Sequence, residues 1–154
     1  MKVVVGSDHR GFGAKQLIKN VVSQLGHECV DVGTTDNSPV DYPNPAYLAA
    51  TAVSESKADC AILVCGTGIG MSIAANKVKG IRAALCHDEL TARISRHHND
   101  ANILCLSGDL IGEVLLRKIV EVWLTTDFSG GRHLRRVKKI SAIEAGKNPK
   151  EVQN

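Results

Sequence analysis

Aromatic residues are scarce in this 154-residue sequence, which contains two Phe, two Tyr and one Trp. A hydrophobic core must therefore be built mainly from aliphatic side chains. No aromatic residue lies in the basic stretch 132–154, where seven Lys or Arg stand against two Glu. Because nothing there can stack on a base, we expect a solvated helix face or a site for a small anion, and no nucleic-acid partner.

Long apolar runs are missing as well. No run approaches the roughly 20 residues that a membrane-spanning helix needs. A strand-like segment begins at Lys2, which leaves no room for a signal peptide. We therefore expect a cytoplasmic protein with no membrane partner.

The cysteines lack the spacing of a zinc site or of a disulfide framework. Their number is odd, no two form a Cys-x-x-Cys pair, and most lie in apolar strand-like runs: Cys29, Cys60, Cys65, Cys86 and Cys105. We expect reduced thiols, most of them buried as small hydrophobic side chains.

What the sequence does contain is a regular alternation of short β-branched runs with helix-period segments. Hydrophobic residues make up 44% and charged residues 23% of the chain, as in an ordinary globular domain. The strand candidates are residues 3–6, 28–32, 61–65, 81–86 and 103–106. The pattern predicts an α/β fold: one single-domain, three-layer α/β/α sandwich over residues 1–145 with a five-stranded parallel, Rossmann-like sheet, followed by a polar tail over 146–154.

Parallel α/β sheets bind ligands beyond the carboxyl ends of their strands, so the polar residues of the loops are the candidates for a site. Asp8 and His9 follow the first predicted strand, and Tyr42 lies in the Pro-rich segment after the second. His98 and Asn99 follow the helix of the fourth βα unit. We expect all of them along the same edge of the sheet.

The segment 110–124 is apolar on more than one side. A helix with such a broad apolar surface must be buried on several faces. In a chain of this size a second copy is the expected partner, and the segment therefore predicts a homodimer.

The strongest chemical signal is the loop after the third strand, where Cys65 precedes a Gly-x-Gly-x-Gly run. Bare amides and the helix start can hold an anion there, and a thiol that faces them is favoured as the thiolate, a competent base. From this segment alone, a buried structural thiol is an equal alternative. A dinucleotide-binding Gly-x-Gly-x-x-Gly motif would need a glycine where Met71 stands, although Asp88 resembles a ribose-binding acid.

Histidine and arginine supply the other reactive groups. A histidine near neutrality can both give and take protons, although any single one, such as His98, is more often structural. Arg132 and Arg136 are four residues apart on the last predicted helix, so both guanidinium groups share one face and can bind one phosphate.

These motifs resemble the type B ribose-5-phosphate isomerases and the related galactose-6-phosphate isomerase subunits, over about residues 2–145. The matching stretches are Gly6-Ser7-Asp8-His9, Val32-Gly33-Thr34, Asp41-Tyr42-Pro43, the run from Cys65 through Gly66, Thr67, Gly68 and Gly70 to Lys77, Gly80-Ile81-Arg82-Ala83, Ser95-Arg96, His98-Asn99-Asp100-Ala101-Asn102 and Gly130-Gly131-Arg132-His133.

The family uses as its base either a cysteine before the glycine loop or a glutamate just after it. Here Cys65 is present and Met71 stands in the second position. The resemblance thus implies that Cys65 moves a proton between C2 and C1 of an aldose phosphate, and that His98, helped by Asp8 and His9, opens the furanose ring. It implies no metal and no other cofactor.

The resemblance also implies a set of binding roles. These are stabilisation of the enediolate by Thr67 and the amides of Gly66, Gly68 and Gly70, binding of the phosphate by Arg132, Arg136 and His9, and contact with the sugar by Asn99 and Tyr42. Family members place the active site at a dimer interface, so a homodimer with a shared site is implied, and pairing of dimers into a tetramer is left open.

One position departs from the family pattern. Asp109 stands where many members carry an arginine. An acid reverses the local charge, so either Arg132 and Arg136 alone hold the phosphate or the preferred substrate differs. Arg10, beside His9, is the residue that can compensate.

Several functions remain open at this point. Ribose 5-phosphate and ribulose 5-phosphate are the first choice of substrate, and a six-carbon aldose phosphate such as allose or galactose 6-phosphate is the second. A non-catalytic phosphosugar-binding module would bind the same ligands without turnover. A nicotinamide-dependent oxidoreductase is disfavoured by Met71.

Overall fold

Five parallel strands form the central sheet of the molecule in a computed structural model that describes residues 1–152. The strands are β1 (Lys2–Ser7), β2 (Glu28–Asp31), β3 (Cys60–Cys65), β4 (Ala83–Leu85) and β5 (Ile103–Ser107). Their order across the sheet is β2-β1-β3-β5-β4, and every neighbouring pair is parallel. The predicted α/β sandwich with its five-stranded parallel sheet is confirmed.

The connections between the strands are helical. The helices are α1 (Phe12–Gln24), α2 (Pro43–Ser54), α3 (Ile69–Ala75), α4 (Glu89–His97), α5 (Glu113–Thr125) and α6 (Gly131–Glu144). Side chains of α1, α4 and α5 pack on one face of the sheet, and those of α2 and α3 pack on the other. None of these helices, within residues 1–152, is long and apolar enough to cross a bilayer.

Alternation along β3 decides which layer each of its side chains meets. Ile62 and Val64 belong to the core beneath α1 and α5, whereas Leu63 and Cys65 belong to the core beneath α2 and α3. The side chain of Cys65 is therefore directed toward the α2 and α3 layer at the carboxyl end of the strand.

Most of the predicted apolar segment 110–124 lies in α5, which begins three residues later, at Glu113. Its buried face includes Leu116, Ile119 and Trp123. The expected burial on several sides is not met within one chain, because Leu110 is 70% exposed and Val114 is 74% exposed.

The predicted polar tail begins just after α6 ends at Glu144. Residues 149–151 form one 3-10 turn, capped by the side chain of Asn148. Residues 153 and 154 of the predicted tail lie outside the described residues, and the division at residue 145 stays a prediction.

A buried ion pair fastens the loop after β2 to α1. The side chain of Lys15 is fully buried, and its Nζ donates to Asp31 Oδ1 at 2.8 Å and to the carbonyl oxygen of Thr34. Lys19 Nζ donates to the other carboxylate oxygen at 2.8 Å. Burial raises the pKa of Asp31, but the hydrogen bonds from Lys15, Lys19 and the Gly33 amide outweigh it, so the net pKa is lowered.

This pair gives a test of the loop anchor. Replacing Asp31 with Asn leaves the Lys15 ammonium buried without a carboxylate, which should lower the free energy of unfolding by about 3 kcal/mol. Lys19→Met removes the half-exposed partner of the same carboxylate and should cost less than about 1 kcal/mol. Urea unfolding of both variants measures the difference, and equal losses would contradict the assignment of Lys15 as the anchor.

Candidate active site

The Cys65 thiol sits at the start of the glycine loop, where the backbone amide of Gly68 donates to its sulfur over 3.1 Å. Gly68 has φ +77°, and a Cβ added to it would lie 2.9 Å from the carbonyl oxygen of Leu106. Only glycine both adopts this positive φ readily and has no Cβ to clash with the Leu106 carbonyl. The loop thus brings an N–H donor onto the sulfur. The role of the Gly68 amide toward an enediolate, which the resemblance implied, stays a prediction.

A cavity of about 200 Å³ opens beside this thiol. It is lined by residues at or after the carboxyl ends of three strands, β1, β2 and β3: Asp8, Arg10, Tyr42, Cys65, Gly66, Thr67 and Gly70. All but Arg10 had been identified as site residues from the sequence. The prediction that the loops at the carboxyl edge converge is confirmed for this set.

Asp8 and His9 are fixed by backbone contacts. Asp8 is buried and its Oδ1 accepts from the Gly11 amide at 2.9 Å. The Val40 amide donates to His9 Nδ1 over 3.2 Å. Because Nδ1 is an acceptor there, a neutral His9 carries its proton on Nε2, which makes that nitrogen a donor for a bound anion.

Tyr42 closes one wall of the cavity because position 70 has no side chain. A Cβ on Gly70 would lie 2.6 Å from two ring carbons of Tyr42. Thr67 is exposed, and its hydroxyl oxygen accepts from the Ile69 amide at 3.4 Å. A hydroxyl and a phenol therefore border the same space as the thiol.

The charge reversal at position 109 is balanced within the chain. Arg10 Nη2 lies 2.5 Å from Asp109 Oδ2. The pair packs over Gly66, where a Cβ would meet Asp109 Oδ2 at 2.8 Å and Arg10 Nε at 2.9 Å. Arg10 thus brings a guanidinium group to the cavity. In the sequence, the acid at position 109 was the feature that indicated a role for Arg10.

A second cluster contains the remaining predicted residues. His98 caps the C-terminal end of α4, and its imidazole stacks on that of His133 with centroids 4.1 Å apart and planes 5° from parallel. His133 lies in the first turn of α6, beside Arg132 and one turn before Arg136. Sequence reasoning matched His133 to the family but gave it no role.

The two clusters do not meet within one chain. His98 and Asn99 come just before β5, at the amino edge of the sheet, where the Asn102 carbonyl accepts from the Ala61 amide. Cys65 ends β3 at the carboxyl edge, and a five-residue strand separates the edges by roughly 15 Å. The expectation that His98 and Asn99 share the edge of Cys65 is wrong, because a segment that follows a helix returns to the amino edge.

No group of three or more His, Cys, Asp or Glu residues within the described range 1–152 is arranged to hold a metal ion. The histidines of the second cluster instead adjoin two arginine side chains. Their chemistry suits an anion.

The pKa of His133 is lowered from its ordinary value. Removal from water is the largest cause, and the neighbouring His98, Arg132 and Arg136 add to it. A proton on His133 is therefore disfavoured, first by removal from water and then by the cationic groups around it.

Comparison with known proteins gives consistent matches. A family model described as Ribose/Galactose Isomerase matches residues 3–140. Ribose-5-phosphate isomerase B of Escherichia coli is 44% identical over 147 residues, which cover 96% of this chain and 99% of that protein.

Solved structures agree with that match. The Clostridium thermocellum ribose-5-phosphate isomerase B superimposes with a TM-score of 0.93 and 49% identity, over 95% of this chain and 99% of that one. The Mycoplasma genitalium ribose-5-phosphate isomerase B, solved with bound ribulose 5-phosphate, has a TM-score of 0.89 and 41% identity, over 94% of this chain and 96% of that one.

The lowered pKa of His133 predicts how stability changes with pH. The unfolded chain binds this proton more readily than the folded chain, so the free energy of unfolding should fall as pH drops through about 6.5, the ordinary histidine range. His133→Gln should reduce that slope, measured as urea midpoints on both sides of this range. His87→Gln, at an exposed histidine outside the cluster, is the control. An unchanged slope in His133→Gln would refute the prediction.

Proposed function

Because this chain belongs to the ribose/galactose isomerase family, we propose that this aldose–ketose isomerase interconverts ribose 5-phosphate and ribulose 5-phosphate, with Cys65 as the base. The observation that carries the proposal is the Cys65 sulfur itself, which accepts from the Gly68 amide and borders a cavity that Asp8, Arg10 and Thr67 also line. The ribulose 5-phosphate bound to the Mycoplasma genitalium relative supports the choice of substrate.

The difficult step is removal of a weakly acidic proton from carbon. In the open-chain aldose, the Cys65 thiolate takes the C2 proton, the C2–H electron pair forms the C1–C2 double bond, and the carbonyl π electrons move to O1 to give the enediolate. The proton of the C2 hydroxyl then passes to O1, the C2 carbonyl forms, and Cys65 returns its proton to C1 to give the ketose. In the intermediate the negative charge lies on the enediolate oxygens, for which the Thr67 hydroxyl and the loop amides of Gly66 and Gly70 are the proposed donors. Tyr42 bounds the space that the sugar carbons occupy.

Ring opening and phosphate binding are proposed for the second cluster. His98 transfers a proton between the ring oxygen and the anomeric hydroxyl, with Asp8 and His9 assisting from the cavity. Arg132 and Arg136, both exposed on the first turns of α6, bind the phosphate as charged donors. Asn99 is exposed beside His98 and binds a sugar hydroxyl.

Since these two clusters lie at opposite edges of one chain, the proposed site is shared between the two protomers of a homodimer. The Cys65 cavity of one protomer faces the His98 cluster of the other. Exposed apolar side chains flank both clusters and supply a surface for such contact: Tyr47, Ile69 and Ile73 near the cavity, and Leu134, Ile140 and Ile143 on α6. Whether two dimers pair further is a separate question.

The assignment of the base is tested by turnover without added metal. Cys65→Ala should lower kcat for ribose 5-phosphate by about 10³-fold, because the group proposed to take the C2 proton is lost. Cys60→Ala, at the other end of the same strand, is the matched control. Burial raises the pKa of Cys60 to about 11, so it stays a thiol and its loss should leave turnover intact.

Parallel assays with allose 6-phosphate and galactose 6-phosphate define the substrate. If only a hexose phosphate is converted, the substrate is a six-carbon aldose phosphate. Binding without turnover of any of the three would favour the phosphosugar-binding module. Near-normal turnover by Cys65→Ala would refute the role of the thiol.

The shared site is tested by mixing two inactive variants. Cys65→Ala and His98→Ala should each be nearly inactive alone, yet after subunit exchange about a quarter of wild-type activity should return, because half of the dimers are mixed and each carries one intact site. Sites confined to single chains would show no recovery. Activity of the mixture and of each variant, measured at equal concentration, separates the two.

A further inference from the structure

Arg82 holds the chain segment that follows His98, and we propose that Arg82 is a positioning residue for the ring-opening step. The inference rests on the proposed role of His98. Arg82 immediately precedes β4, so its backbone is tied to the sheet. The segment it holds, residues 98–102, links α4 to β5.

The guanidinium group of Arg82 reaches three acceptors in two successive residues. Its Nε donates to the carbonyl oxygens of Asn99 at 3.0 Å and Asp100 at 2.9 Å. Its Nη2 donates to Asp100 Oδ2 at 2.8 Å. The Arg82 amide also donates to the side-chain oxygen of Asn102 at 2.8 Å. One residue thus determines the direction of the peptide groups directly after His98.

The held segment has an unfavourable backbone conformation. Asp100 has φ +47°, in the left-handed region that side chains other than glycine disfavour. Such a conformation persists only where the surroundings enforce it. The two guanidinium contacts on the Asp100 carbonyl and carboxylate provide that enforcement.

A second arginine, on α4, contacts the same segment. Arg96 Nη1 donates to the Ala101 carbonyl at 2.6 Å and lies 3.6 Å from Asp100 Oδ1. The Arg96 guanidinium also stands over the Trp123 ring, 5.1 Å from its centroid. The Asp100 carboxylate is therefore held between two arginines, one just before β4 and one on α4.

These contacts hold the segment 98–102 in place, and they leave Arg82 little freedom to bind substrate itself. Its side chain is 22% exposed, and its Nε and Nη2 donors are already engaged. Loss of the guanidinium would release the Asn99 and Asp100 peptides, and with them the stack of His98 on His133. A displacement of about 1 Å at a reacting group can cost about 10²-fold in rate.

Arg82→Ala is the direct test. We expect kcat for ribose 5-phosphate to fall about 10²-fold and KM to change much less, since the base and the phosphate ligands remain in place and only the Asn99 contact with the sugar is loosened. A cavity of about 270 Å³ borders Arg82 and Asn99, so millimolar guanidinium chloride can enter and should restore at least a tenth of the lost rate. Arg117→Ala removes an arginine paired with Glu121 and Gln24, far from both clusters, and should show neither loss nor rescue.

A second readout does not depend on turnover. The Hε1 proton of His98 lies under the ring current of His133, so its NMR shift should move toward that of a free imidazole in Arg82→Ala and return with guanidinium. If Arg82→Ala does not fold, Arg82→Lys replaces it. Lysine keeps one contact to Asp100 but cannot donate to the peptide carbonyls as well, so an intermediate loss of kcat is expected.

The outcomes separate the two proposals. Normal kcat in Arg82→Ala, or a loss that guanidinium does not reverse with an unmoved His98 signal, would overturn the positioning role. Absence of turnover in the wild-type protein would overturn the proposed function, and the His98 signal would then decide the positioning role alone.

Discussion

The common direction of all five strands is the constraint on which the rest of this structure depends. Because every strand runs the same way, each connecting segment lies at one of two edges of the sheet. The Cys65 loop leaves a strand and lies at the carboxyl edge, whereas the His98 segment leaves a helix and lies at the amino edge. The topology therefore divides the chemistry of one chain into two incomplete clusters, and this division makes a second copy part of the proposed mechanism.

Close backbone contacts shape the carboxyl edge. A Cβ on Gly11 would lie 2.4 Å from the Val64 carbonyl oxygen, and one on Gly33 would lie 2.4 Å from the Ser7 amide. The loops after β1 and β2 thus press against the ends of neighbouring strands. The buried Lys15 also holds the loop after β2, because its Nζ donates to the carbonyl oxygen of Thr34. This packing brings Asp8 and Tyr42 to the cavity beside the Cys65 thiol.

Sequence patterns predicted the parts of the molecule that depend on local periodicity. The five strands, the glycine that ends α1 and the position of Cys65 at the end of β3 all follow from neighbouring residues. The prediction that His98 lies at the carboxyl edge was wrong, because the rule for the ends of strands was applied to the end of a helix. Arg82 was assigned no role because its partner Asp100 is 18 residues away in the chain, at a position set by the fold.

The distribution of charge agrees with the proposed division of labour. The amino-edge cluster combines two exposed arginines with the stacked histidines, a setting that favours a phosphate dianion. At the carboxyl edge the Arg10 guanidinium is matched by the Asp109 carboxylate, so the cavity beside Cys65 gains donors without a large net charge. In the proposed mechanism, a phosphate bound by these arginines is separated from the Cys65 base by the length of the sugar. Mutual repulsion between the base and its own substrate is thereby reduced, which is what removal of a proton from carbon by an anionic base requires.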